Sequence, residues 1–172
     1  MAFLFGALAA FWARFVLVDQ KQVHYHANFA LYVNGEQDEF KNFTFYEEET
    51  ACASDHGIDP KTRVHMHNQE NSVVHVHTDG ATWGHFFANL GYTLGNKVVT
   101  TDNGVFVDGK EGKLHFHLNG ESVDVIANKV IENEDTLLID FGSDSDEVMK
   151  SHYDSIENKA RAHNLEDDPA TC

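Results

Sequence analysis

Residues 63–77 contain two His-x-His segments, Arg63-Val-His-Met-His67 and Val73-Val-His-Val-His77, with the polar loop Asn68-Gln-Glu-Asn-Ser72 between them. Apolar and polar residues alternate in both segments, which is typical of half-buried β-strands. A short polar loop between two such strands predicts an antiparallel hairpin. If odd-numbered residues pair with odd-numbered residues, for example His65 with His75, all four imidazoles lie on one face. Four apolar side chains are then buried on the opposite face and fix this register: Val64, Met66, Val74 and Val76.

Histidine is unusually frequent in the chain, and its distribution is not random. Twelve of the 172 residues are histidine, and four His-x-His pairs occur. Random placement at this frequency would give about 0.8 such pairs. Residues i and i+2 of a strand face the same way, so each pair presents two imidazoles side by side. The pattern predicts these metal ligands: His24, His26, His65, His67, His75, His77, His115 and His117.

Clustered imidazoles suit copper or zinc, whereas Ca²⁺ and Mg²⁺ prefer oxygen ligands. A metal-bound histidine usually donates its second ring N–H to an acceptor, for which Asn28, Asn68 and Asp79 are the nearby candidates. The alternatives are that the histidines are polar residues filling an exposed strand face with little packing energy, or that they sense pH. His56, His152 and His163 lie in loop or helical contexts and are not included, and His85 is more simply a satisfied polar residue of a helix.

The remaining pattern predicts an α+β fold: a mainly antiparallel β-sheet with a short helix after the central hairpin, a C-terminal helix and an N-terminal hydrophobic helix. A hairpin is expected within residues 22–46, with a type I′ turn at Asn34-Gly35 and a return strand from Phe40 to Tyr46. Its core-facing residues share one parity: Val23, Tyr25, Ala27, Phe29 and Leu31. Strand order, and hence whether the outer His pairs adjoin the central hairpin, does not follow from the sequence.

The other predicted elements have clear boundary signals. Thr82 is an N-cap for a helix from Trp83 to Leu90, and Gly91 follows its end. A further strand pair turns at Asn119-Gly120. The other predicted elements are strands Leu114–Leu118, Ser122–Ile126 and Thr136–Phe141 and a terminal helix over 144–164.

Residues 1–18 are apolar apart from Arg14. The run is marginal for a bilayer span, which needs about 20 residues, and it lacks the basic n-region of a secretory signal. It is interpreted as a membrane anchor, as a pilin-like terminus that packs into a filament after removal of a leader, or as a core helix of the domain. The domain division is therefore a hydrophobic helix over 1–20 and a His-rich domain over 21–172.

The charge balance limits the possible partners. The formal net charge is -16, from 28 acidic and 12 basic side chains. Nucleic acid and anionic membrane surfaces are disfavoured as partners, because no basic patch is available to pair with phosphates. Cations are favoured, because the acidic field raises their local concentration. No HExxH, GxSxG, P-loop or GxGxxG motif occurs, so catalysis is not favoured and no catalytic residue is predicted.

The two cysteines, Cys52 and Cys172, are far apart and form no CxxC motif. A cysteine at the last position suits a disulfide that ties the tail to the body of the domain. Such a bond requires an oxidising compartment. Two unrelated free thiols are the alternative.

Several motifs resemble one group of proteins in order and spacing. They are His24-Tyr-His-Ala-Asn-Phe-Ala-Leu-Tyr-Val-Asn-Gly35, Arg63-Val-His-Met-His-Asn68, Val73-Val-His-Val-His77 and Thr82-Trp-Gly-His-Phe-Phe-Ala-Asn-Leu-Gly91. The chain is similar from Phe15 to Cys172 to an uncharacterised family of single-anchor, His-rich extracytoplasmic proteins of small-genome bacteria. The resemblance implies an N-terminal anchor, an external location and His pairs as a family trait; it implies no activity.

Two functions follow as hypotheses. The first is an extracytoplasmic protein that captures, buffers or displays copper or zinc through its strand-borne His-x-His pairs. The second is a structural subunit of a cell-surface filament or complex, assembled through the N-terminal helix, with metal at most a cross-link. The expected partners are a transition-metal ion and, through residues 1–18, a membrane or like subunits, in a homo-oligomer or polymer.

Overall fold

The computed structural model describes residues 22–46, 60–109 and 111–165. The N-terminal hydrophobic helix and the disulfide between Cys52 and Cys172 lie outside the described residues, so both stay predictions. No helix within the described ranges is long and apolar enough to cross a membrane.

The described residues form strands, short α-helices and two 3₁₀ turns. The strands are β1 (Gln22–Val33), β2 (Glu36–Gln37), β3 (Val64–His65), β4 (Val73–Thr78), β5 (Val98–Thr101), β6 (Gly104–Val107), β7 (Lys113–Leu118), β8 (Glu121–Val123) and β9 (Thr136–Gly142). The helices are α1 (Trp83–Asn89), α2 (Asp146–Asp154) and α3 (Lys159–Leu165). The 3₁₀ turns are Phe43–Phe45 and Pro60–Thr62.

One mixed, mostly antiparallel sheet organises the described part of the chain. Its strand order is β3-β4-β1-β9-β7-β8, and β2 pairs with β1 beside this path. The pairing of β1 with β9 is parallel, whereas the other ladders of this sheet are antiparallel. Strands β5 and β6 form a separate hairpin that was not predicted. The α+β class is confirmed, and the strand order puts β1, with its own His pair, directly beside the central hairpin.

Both predicted Asn-Gly turns have the backbone of a type I′ turn, but the first hairpin is shorter than expected. Asn34 and Gly35 have φ of 53° and 82°, and Asn119 and Gly120 repeat these values. The predicted return strand from Phe40 to Tyr46 is wrong, because β2 ends at Gln37. Phe40 instead adopts a φ of 45° and is buried in the main core, so this segment packs its aromatic rings from a loop.

The two faces of the sheet carry different residues. One face bears the main hydrophobic core, which is closed by the buried side of α1, where Trp83, Phe86 and Phe87 are buried. This face holds the predicted alternating set of β1, with Ala27, Phe29 and Leu31 fully buried. The opposite face, here called the histidine face, carries the even-numbered residues of β1 and β9, among them Ala30, Tyr32 and Leu138.

The C-terminal helices cover the histidine face. The predicted C-terminal helix is confirmed, but the span over 144–164 is divided into α2 and α3 by a break after Ser155. Ser145 caps α2 by accepting a hydrogen bond from Val148 N, and Asn158 Oδ1 accepts from Arg161 N at the start of α3. The break lets α2 pack along β9 while α3 packs on β1 and β4.

Candidate metal centre

The central hairpin has the predicted register. His65 pairs with His75 and Val64 pairs with Val76, so odd residues oppose odd residues. The ring centroids of His65 and His77 lie 5.0 Å apart, and those of His67 and His75 lie 3.7 Å apart. The alternating apolar residues are all buried in the main core on the opposite face: Val64, Met66, Val74 and Val76. The core therefore sets the register that gathers the four imidazoles.

Strand β1 adds a second pair of imidazoles to the same cluster. His26 pairs with His75 across the β1–β4 ladder, and their ring centroids are 4.3 Å apart. His24 stacks on His77 at 4.8 Å. The ladder is irregular between Gln22 and Tyr25, next to the position of His24. Three of the four predicted pairs thus form one array on three neighbouring strands.

The expectation that these rings lie on an exposed face is wrong. His65 and His67 are each 2 % exposed, and His75 is 1 % exposed. Helix α3 packs on β1 and β4 and covers this part of the face, where His163 lies 5.6 Å from His75. Asn28, which is fully buried on β1, accepts a hydrogen bond from Ala160 N and donates to Asn158 Oδ1, so it holds the start of α3 against the sheet. The inner rings of the array are therefore internal, whereas His24 at its edge is exposed.

Hydrogen bonds fix the tautomers of two of the rings. His26 N and His26 Nδ1 both bond to Asn164 Oδ1, at 3.1 and 2.7 Å. A backbone N–H must donate, so this atom is an acceptor and Nδ1 carries the ring proton. His65 Nδ1 lies 2.7 Å from the carbonyl oxygen of Lys61, which also requires Nδ1–H. In both rings the lone pair is on Nε2, as in metal-ligating histidines whose second nitrogen is held by an acceptor.

The predicted acceptors are not the ones found. Asp79 and Asn68 are exposed, and Asn28 is used to anchor α3. The acceptors observed are the side chain of Asn164 and a backbone carbonyl.

The environment of the array keeps its inner rings neutral. His67 Nε2 and His75 Nδ1 are 2.8 Å apart, so one of the two nitrogens must carry a lone pair. Burial, followed by His67 and His26, holds the pKa of His75 far below its ordinary value. Burial, followed by His65 and His24, lowers the pKa of His77 to about 3. Neutral imidazole is the form that binds metal ions.

Two features show where an ion could be held. Ligand nitrogens of His24, His26 and His75 all lie within 4.8 Å of one another. In addition, His77 Nε2 is buried and has no hydrogen-bond partner among the described residues. A buried polar atom of this kind is destabilising unless water or an ion satisfies it.

Helix α3 contributes a seventh imidazole that the sequence interpretation left out. The ring of His163 lies 5.3 Å from that of His26 and 5.6 Å from that of His75. His163 belongs to no His-x-His pair, and its position depends on the break between α2 and α3. The only signal in the sequence is that His163 and Asn164 are adjacent on one short helix. This signal indicates a contact with the array only when the position of that helix is known.

The fourth predicted pair lies elsewhere on the same face. His115 pairs with Asp140 and His117 pairs with Leu138, on β7, so β9 separates them from the array on β1. Their role as ligands stays a prediction, but they do not belong to the array. His85 closes a capping box at the start of α1, where its Nδ1 accepts from Thr82 N, and it is exposed.

The array offers nitrogen donors of one kind in several combinations. After burial, the groups with the largest influence on the pKa values of His75 and His77 are histidines. Such a donor set suits Zn²⁺ or copper better than Mg²⁺ or Ca²⁺. The chain matches no family model, no curated protein and no solved structure with which it was compared.

Proposed function

We propose that this protein binds copper or zinc through the histidine array and captures, buffers or displays the ion outside the cytoplasm. The observation that carries the proposal is the convergence of His24, His26 and His75, whose ligand nitrogens lie within 4.8 Å of one another. Two of these residues are on β1 and one is on β4, so the sheet itself holds the donors in place.

The physical state of the rings supports metal binding over polar filling of a strand face. Polar filler belongs on a solvated face, whereas the inner rings here are almost fully buried. Burying an imidazole nitrogen without a partner costs free energy, and a bound ion would supply the partner of His77 Nε2. The depressed pKa values of His75 and His77 also reduce competition from protons at neutral pH.

The number of rings supports capture and buffering over a fixed structural metal. A structural zinc site usually has four protein ligands, whereas seven imidazoles converge in this cluster: His24, His26, His65, His67, His75, His77 and His163. Different subsets of these rings can hold an ion, and an ion can pass between subsets that share a ring. The acidic net charge of -16 supports the same role, because it attracts cations to the molecule.

The external location belongs to the proposal as well. It is supported by the apolar run over residues 1–18 and by the cysteines at positions 52 and 172, which would pair in an oxidising compartment. Assembly into a surface filament through residues 1–18 is the second candidate, and it is compatible with metal binding by the array.

The proposal is tested by titrating tag-free, full-length protein with Cu²⁺ and with Zn²⁺ by calorimetry. The double variant His26→Gln with His75→Gln removes two of the three converging donors but retains amide groups of similar size. We expect its affinity for the ion to fall by at least about tenfold. Removing a residue that only hydrogen-bonds to a metal ligand already lowers affinity by about that factor, and removing the ligand itself should lower it further.

The matched control is the double variant His85→Gln with His117→Gln, which removes two imidazoles away from the array. Glutamine is a favourable residue at the third helical position, so the capping box of α1 is kept. This control should bind like the wild type. The proposal is wrong if the wild-type chain binds neither ion at micromolar concentration, or if both double variants bind equally well while remaining folded by circular dichroism.

A further inference from the structure

A second group of ligand-type side chains lies on the histidine face, at the end of β9. Asp140 is on β9, Asp144 follows that strand, and His152 is on α2. One ligand atom from each of the three lies within 4.8 Å of the others. The group is separate from the array, because Asp140 pairs with Tyr32 near the end of β1, well beyond His24 and His26.

The described residues satisfy the carboxylates of this group only in part. Asp140 has a side-chain exposure of 1 %, and its Oδ2 accepts a hydrogen bond from His152 Nδ1 at 2.7 Å. Its Oδ1 is buried and has no hydrogen-bond partner in the described part of the chain, and the same is true of Asp144 Oδ2. Unpaired carboxylate oxygens are among the most costly groups to bury.

Within the described residues, no Lys or Arg side chain pairs with the carboxylates of Asp140 and Asp144. Burial raises the pKa of Asp140, the hydrogen bond from His152 opposes that rise, and Asp144 adds to it. Two adjacent carboxylates are thus held together, and the imidazole of His152 is hydrogen-bonded to one of them.

We propose that Asp140, Asp144 and His152 form a second cation site, which takes a divalent transition ion through two carboxylate oxygens and one imidazole nitrogen. Mixed oxygen and nitrogen donors accept Mn²⁺, Fe²⁺ or Zn²⁺. The site differs from the array in its donors, and it goes beyond the function proposed above.

The surroundings hold these donors in place. The ring of His152 stacks on Tyr32 with a centroid distance of 3.8 Å and an interplanar angle of 9°, which fixes its plane. Asp140 is fixed within the β9 ladders. His115 faces Asp140 across the β7–β9 pair, so a further imidazole lies beside the site. Of the fourth His-x-His pair, which does not belong to the array, His115 is the member that lies opposite Asp140.

Cation binding would change the position of the ring proton at this site. Without the ion, His152 Nδ1–H donates to Asp140 Oδ2; with the ion, the ring proton would lie on Nε2, so that Nδ1 offers its lone pair to the metal. The positive charge of the ion then compensates both carboxylates, including the two oxygens that have no partner.

The test uses Mn²⁺ alone as the probe, because manganese prefers carboxylate donors to a purely imidazole cluster. Binding to the full chain is followed by the loss of the electron paramagnetic resonance signal of free Mn²⁺. Asp144→Asn removes one donor from a half-buried loop position. Asp146→Asn is the matched control, because it makes the same change two residues away at an exposed position.

We expect Asp144→Asn to weaken Mn²⁺ binding by at least about tenfold. Asp146→Asn should stay within about twofold of the wild type, because one exposed charge contributes little. The His26→Gln, His75→Gln double variant should retain the Mn²⁺ site, so that this result is independent of the array. The proposal is overturned if folded wild-type protein binds no Mn²⁺, or if the two Asp→Asn variants bind it equally well.

Discussion

At the scale of single residues, Asn164 determines how His26 presents its nitrogens. Its Oδ1 accepts from both the backbone N–H and the ring Nδ1–H of His26, so the Nε2 lone pair points to the side of the ring away from the acceptor. The parity of the His-x-His pairs could be predicted from sequence, since it follows from the two-residue period of a strand. The contact between His26 and Asn164 could not be predicted, because the two residues are 138 positions apart in the sequence.

Replacing Asn164 with alanine should weaken metal binding by about 10-fold to 100-fold, the usual cost of losing an acceptor that orients a ligand. The reason is that His26 would no longer be held in the Nδ1–H tautomer. Calorimetric titration with Zn²⁺ measures the effect. Asn164→Asp keeps an acceptor oxygen and should restore most of the affinity.

Asn133→Ala serves as the control for that substitution. Asn133 Oδ1 accepts from Asn164 Nδ2, so its removal disturbs the same side chain without touching His26. Its affinity for Zn²⁺ should match the wild type. Equal affinities for Asn164→Ala and Asn133→Ala would mean that the tautomer of His26 does not control binding.

At the scale of elements, three strands and one helix build the array. The turns at Asn34-Gly35 and Asn119-Gly120 and strand β9 could be predicted, because their signals are local. The structure of the segment after Gln37 could not be predicted. Phe40 and Phe45 pack into the core from outside a β-strand, so their apolar character does not indicate an alternating strand. The break before α3 could not be predicted, because Asn158, which caps α3, lies within a charged run that favours a continuous helix.

Gathering imidazoles from neighbouring strands makes the stability of the metal-free domain depend on pH. The pKa of His77 is about 3 in the folded protein and returns to about 6.5 on unfolding. Between these values the unfolded chain binds more protons than the folded one. The free energy of unfolding therefore falls as the pH drops below about 6.5, by up to about 1.4 kcal/mol per pH unit for this group, and its contribution levels off near pH 3.

Urea denaturation of chelator-treated protein between about pH 7 and pH 4 measures this dependence. Carboxylates contribute to the slope in every variant, so the comparison between variants is decisive. His77→Gln should show a shallower dependence on pH than the wild type, because glutamine does not titrate, whereas His117→Gln should follow the wild type more closely. An unchanged slope in His77→Gln would show that His77 titrates alike in the folded and unfolded chains.

At the scale of the whole molecule, the two faces of the main sheet carry different kinds of residue. One face carries the aromatic and aliphatic core, and the other carries all four His-x-His pairs. That division could be predicted from alternation. The position of β9 between β1 and β7 could not, because it depends on a parallel pairing between segments more than 100 residues apart. It is β9 that divides the histidines into the array and the pair beside Asp140.

The central claim is that the array binds a transition metal through imidazoles. X-ray absorption at the zinc edge, on full-length protein with an equimolar amount of Zn²⁺, tests it most directly. We expect a ligand shell of nitrogens at about 2.0–2.1 Å, with the outer-shell scattering of several imidazole rings, and its loss in the His26→Gln, His75→Gln double variant. A shell made mainly of carboxylate or water oxygens, or an unchanged spectrum in that variant, would contradict the account.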